Sequence, residues 1–148
     1  MWTKSRSLTL SRIMTLLFML LLAVGVVALP AILRWYIAYT GKSAAIYARL
    51  LYTLWVCAAP AFAALFCLGR LLRNIDGGQV FVEQNVSLLR LISWCCLAVA
   101  GVFLVAAFYY VISLLLGILA AFMGLILRVV KNVIARAVEL QRENDLTV

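Results

Sequence analysis

Apolar residues run almost without interruption over residues 13–33, resume over 46–68, and run again over 91–127 with no charged side chain among them. One crossing of a hydrocarbon core about 30 Å thick takes about 20 helical residues, so the first two stretches each predict one transmembrane helix. The third is nearly twice that length and must fold back as a hairpin. Tyr109 and Tyr110 mark its rim, and residues 113–117, beginning at Ser113 and ending at Gly117, offer the best turn. The predicted fold class is therefore all-α: an integral membrane four-helix bundle forming one domain over residues 1–148. Its spans lie at about 13–33, 46–68, 89–111 and 117–136.

The polar positions between these stretches fix the connections. Arg34, Trp35, Tyr36, Tyr39, Gly41 and Lys42 form a short turn after the first span. Pro60 lies near the middle of the second span, where a proline removes one backbone donor and is expected to bend the helix. Residues 70–88 are the only extended polar loop, and Gly77 and Gly78 predict the end of a helix and a turn there. The last helix does not stop with its span. Ile126, Val130, Val133, Ala137 and Leu140 recur at spacings of three and four, with Arg128, Asn132, Arg136, Glu139 and Glu143 opposite, so an amphipathic extension with a tail over 137–148 is expected. Arg136 with Glu139, and Glu139 with Arg142, have the spacing for weak pairing.

Composition removes the soluble alternative. Of 148 residues, 68% are hydrophobic and 12% charged, about half the charged share of a soluble domain. The net charge of +8 does not point to nucleic acid, because the basic residues cluster at the ends of the apolar stretches, where anionic headgroups lie. With four spans, ten of the 13 Lys and Arg residues share one side with both termini, leaving Arg34, Lys42 and Arg49 opposite. By the positive-inside rule that richer side is cytoplasmic, and Trp35, Tyr36, Tyr39, Tyr47, Tyr52, Tyr109 and Tyr110 gather at the outer rim. The basic residues ahead of the first span imitate a signal peptide, but the span is too long and residues 27–30 are not a small-x-small cleavage site, so a retained helix is expected.

Candidate chemistry is sparse. There is no histidine, and the four cysteines, Cys57, Cys67, Cys95 and Cys96, sit inside apolar stretches with no CxxC spacing, so neither a metal site nor another cofactor is expected. No phosphate-binding glycine loop is present, and no enzymatic activity is expected. Arg128 and Lys131 fall at membrane depth, which marks either an ion path or side chains that snorkel to the headgroups. Every carboxylate lies in the loop or the tail, which argues against proton-coupled export. A small channel or exporter subunit, or a purely structural membrane protein, remains the alternative. Self-association could use the small residues from Ala59 to Cys67 and from Gly117 to Gly124.

Two segments carry a resemblance. Residues 78–90 read G-Q-V-F-V-E-Q-N-V-S-L-L-R, and residues 140–148 read L-Q-R-E-N-D-L-T-V. Both resemble the bacterial membrane family described as domain of unknown function 2975, in which a G-x-x-F-x-x-x-N-x-x-x-L-R segment leads into the third span and the chain closes near E-N-D-L-T-V. The resemblance covers essentially the whole chain and implies a multi-pass protein of the bacterial cytoplasmic (inner) membrane. Members are commonly encoded beside a small helix-turn-helix protein of the Cro/C1 type, which implies a membrane partner or antagonist of such a regulator. By residue match the candidate partner-binding positions are Gly78, Phe81, Asn85, Leu89 and Arg90, with Glu143, Asn144, Asp145, Leu146 and Thr147.

Folding offers a second reading of the same positions. Asn85 can cap a helix start by accepting from free backbone N–H groups, and Phe81 can plug the bundle's inner mouth. The tail can tuck Leu146 and Val148 against neighbouring helices while its acids pair with Arg70, Arg73 or Arg90.

Overall fold

Long uninterrupted apolar stretches become long helices, because lipid supplies no partner for a backbone group left outside one. A computed structural model of the chain describes residues 4–147, with side chains from residue 6 onward. Four helices follow in order: α1 (Lys4–Thr40), α2 (Ala44–Asp76), α3 (Glu83–Ala106) and α4 (Ile112–Leu146). All four are long and apolar enough to cross a membrane. The helices outrun the predicted spans. At about 1.5 Å per residue the 37 residues of α1 and the 35 of α4 each exceed 50 Å, well beyond a ~30 Å core. α2 continues through Pro60 as α1 does through Pro30.

The helices pack in chain order, α1 on α2, α2 on α3, and α3 most extensively on α4, with no backbone contact between α1 and α4 among the described residues. The expected bundle is therefore an open row, and α1 leaves most of its apolar surface outward, Val27 being 83% exposed. That cost is prohibitive in water and absent in lipid.

Small residues fix the tightest interface. A Cβ placed on Gly117 would lie 3.2 Å from the Leu104 side chain, and one on Gly124 would lie 3.1 Å from that of Leu97. One heptad forward on α4 thus meets one heptad back on α3, as a straight antiparallel pair requires. Ser93 Oγ donates to the Gly124 carbonyl oxygen at 2.9 Å, a hydrogen bond that such close approach makes possible. Gly117 and Gly124 are thereby used within the chain, so the self-association expected of that stripe has lost these two glycines to α3.

This packing also corrects the hairpin. The turn falls at 107–111, not at 113–117, and α4 begins at Ile112 rather than near Gly117. Ser113 is buried in the first turn of α4, and Ala106, at 0% exposure, closes α3. The backbone N–H groups of Tyr109 and Tyr110 both donate to the Ala106 carbonyl oxygen, which ends the helix there. Smallness at Ser113 and Gly117 serves contact with α3, and sequence patterning alone does not separate that use from a turn.

The tyrosines of the turn hold one end of the molecule together. The Tyr36 and Tyr110 hydroxyls lie 2.8 Å apart, as do those of Thr53 and Tyr109. Lys42 Nζ lies 4.7 Å from the Tyr110 ring centre, and the Arg49 guanidinium stands 5.7 Å from that of Tyr109. The hydrogen bond with Tyr36 holds the Tyr110 phenol above its ordinary pKa range. Trp35 stacks on Tyr39 nearby. Within the predicted aromatic rim, Tyr36, Tyr109 and Tyr110 thus tie α1 and α2 to the α3–α4 turn.

Candidate functional site

The opposite end carries the two motif segments. α2 ends at Asp76, and Gly77 closes it by donating its N–H to the Arg73 carbonyl oxygen. Gly78 follows at φ +79°, a left-handed conformation that side chains resist, which accounts for a glycine at this position. The Gln79 N–H then returns to the Asn74 carbonyl oxygen, folding the loop back on the helix it left.

Asn85 locks this loop. Its Nδ2 donates to the carbonyl oxygens of Gln79 and Val80, each at 2.8 Å, while its Oδ1 accepts from Asn74 Nδ2 at 2.9 Å. At 1% exposure it is one of the most deeply buried polar side chains described. The cap expected of Asn85 is thus reversed in sense: it satisfies loop carbonyls as a donor instead of accepting from free N–H groups. Leu89, one turn on, is 4% exposed. Asn74 was legible only as part of a polar loop, and the signal for its role is an asparagine on each side of a Gly-Gly turn.

The remaining motif residues stay outside. Phe81 is 51% exposed and does not plug the bundle's mouth, and Arg90 is also exposed. α4 runs unbroken to Leu146, where Thr147 closes it with its N–H and Oγ1 directed to the Glu143 carbonyl oxygen. Glu143, Asn144 and Asp145 are exposed, and Leu146 is 82% exposed, so the tail does not tuck against the helices. Val148 lies outside the described residues. Among the described residues, no ion pair joins Glu143 or Asp145 to Arg70, Arg73 or Arg90.

The two segments nonetheless meet. Arg142 Nη1 donates to Glu83 Oε1 at 3.1 Å, joining the extension of α4 to the first turn of α3. Arg142 therefore pairs across helices, rather than with Glu139 as its spacing suggested. Both side chains are 73% exposed, so the pair is worth at most about 1 kcal/mol and serves position more than stability. Beside it a groove of about 450 Å³ runs between the helices, lined by Ser87, Arg90, Ala135, Glu139 and Arg142 among others. A second ion pair, Arg12 with Asp76 at 3.6 Å, ties the start of α1 to the end of α2 at this same end.

The membrane-depth cations stand apart from this surface. The Arg128 guanidinium lies over the Trp94 ring at 5.1 Å, a cation–π contact between α4 and α3, and Lys131 is partly buried one turn on.

Four successive helices, each long and apolar enough to cross a membrane and joined by short polar connections, define a multi-pass membrane protein. Over residues 4–148 the chain matches the family described as Protein of unknown function (DUF2975), and it belongs to that family. No curated protein and no solved structure matches it.

Proposed function

We propose that this protein is a non-enzymatic platform in the bacterial inner membrane, with the α2–α3 loop and the α4 extension facing the cytoplasm and docking a small soluble regulator of the helix-turn-helix type. One observation carries the reading: the Glu83–Arg142 pair holds the two motif segments side by side while Phe81, Leu140 and Leu146 stay exposed. Of the residues matched to the family, Gly78, Asn85 and Leu89 shape the surface. Phe81, Arg90, Glu143, Asn144, Asp145, Leu146 and Thr147 are the ones a partner meets. An exposed apolar and charged surface beyond the membrane suits a transient protein contact, in which a few anchors carry most of the affinity.

The cytoplasmic assignment draws on the distribution of basic residues, ten of 13 of which fall on this side of four spans. The regulator as partner draws on the family resemblance. The contact of Arg128 with Trp94 favours a held side chain over an ion path, which supports this reading above a channel or exporter.

Co-purification from detergent with the neighbouring helix-turn-helix protein is the test. The intact chain is expected to retain it, and removal of residues 143–148 or the substitution Phe81→Ser to reduce recovery about tenfold, the effect of losing an anchor worth about 1.4 kcal/mol. Absence of association with the intact chain overturns the proposal.

A further inference from the structure

A second feature of the same end points to lipid. On α1, Arg12, Leu16 and Met19 share one face, and on α2 Phe66, Arg70 and Arg73 share another; together they line a cleft of about 540 Å³. Its floor is open because Gly69 has no side chain: a Cβ there would meet nothing within 4 Å. Arg12 is engaged by Asp76, whereas Arg70 and Arg73 form no ion pair with any described carboxylate. The apolar wall is not sealed by protein, Leu16 being 65% and Phe66 64% exposed.

We infer that this cleft seats the phosphodiester headgroup of an anionic phospholipid, held by Arg70 and Arg73, with an acyl chain along Leu16, Met19 and Phe66. Guanidinium groups bind phosphate oxygens through paired N–H donors, and basic pockets between transmembrane helices are suited to anionic headgroups. Charge alone would fit free phosphate equally well. The apolar wall, continuous with the outward surface of α1 and α2, selects the lipid, since it has no role in holding a small hydrated anion. Arg12, which also lines the cleft, stays on Asp76. The inference rests on the helices crossing a membrane and not on the regulator partner, so either proposal can fail without the other.

Electron spin resonance on the full chain in phosphatidylcholine bilayers, with trace spin-labelled phosphatidylglycerol or phosphatidylcholine, tests it through the motionally restricted fraction. The anionic lipid is expected to associate at least about fivefold more strongly, the factor one nearby basic residue supplies. The double substitution Arg70→Gln and Arg73→Gln brings the ratio close to one. Gly69→Leu, which changes no charge and whose Cβ has open space, fills the floor and lowers the ratio, while Arg49→Gln at the other end leaves it unchanged. Equal association of both lipids with the unmodified chain overturns the proposal, as does selectivity that survives loss of both arginines. Displacement of the bound lipid by millimolar glycerol phosphate also overturns it, because the site would then be one for a free phosphate.

Discussion

Asn85→Leu is expected to destabilise the protein by about 2–4 kcal/mol and to open the 77–82 loop to proteolysis. Leucine keeps the branched skeleton of asparagine and is somewhat bulkier, so no cavity is left and the main loss is polar. What it strands is the Asn74 amide and the carbonyl oxygens of Gln79 and Val80, all three bonded to Asn85 at 2.8–2.9 Å. A buried polar group left without its partner costs about 1–3 kcal/mol, and water reaching the loop carbonyls keeps the total below the full sum. Asn85→Asp refines the point. It preserves an acceptor for Asn74 but sets a carboxylate oxygen against two carbonyl oxygens, so its loss is expected to be at least as large. Thermal unfolding in detergent and the rate of cleavage between α2 and α3 read both effects, and an unchanged midpoint with an intact loop contradicts the clasp.

Gly124→Leu is the second large effect, expected at about 1–3 kcal/mol for a forced overpacking. Even the first carbon of a new side chain lies 3.1 Å from Leu97, and a full leucine must drive α4 away from α3 and break the Ser93 hydrogen bond to the Gly124 carbonyl oxygen. Gly117→Leu is expected to act alike, since the Ala100 carbonyl oxygen is 3.3 Å from its added Cβ and cannot yield. Gly101 supplies the contrast, because a Cβ there meets nothing within 4 Å, and Gly101→Leu is expected to be neutral or mildly stabilising. Disulfide cross-linking between cysteines placed across α3 and α4 follows the separation directly. Efficient cross-linking in Gly124→Leu contradicts the interface.

How far these features were readable follows from what marks them. The four helices, the break at Gly77 and Gly78 and the long α4 extension are written in hydrophobic period and in the positions of polar residues, and the structure has all of them, with helices longer than the expected spans. The α3–α4 turn is different, because a stretch with no charged residue offers only small residues as a clue. Ser113 and Gly117 are small for the sake of close helix packing, and the turn is instead set by Tyr109 and Tyr110, whose hydroxyls reach Thr53 and Tyr36 far back in the chain. No local pattern reveals partners that distant. The candidate surface divides along the same line. Its segments were legible as motifs, but the inward part of Asn85 and the outward position of Phe81 depend on how the loop folds back upon α2. The bond between Glu83 and Arg142 depends on the register of α4 along α3, which the glycines fix.

Sidedness carries the functional account, and labelling in intact cells measures it most directly. In a background lacking the four native cysteines, Ser43→Cys at the aromatic end is expected to react with a membrane-impermeant thiol reagent, and Asn144→Cys to react only after the cells are opened. Labelling of Asn144→Cys in intact cells, with Ser43→Cys protected, would place the motif surface outside and contradict a cytoplasmic platform.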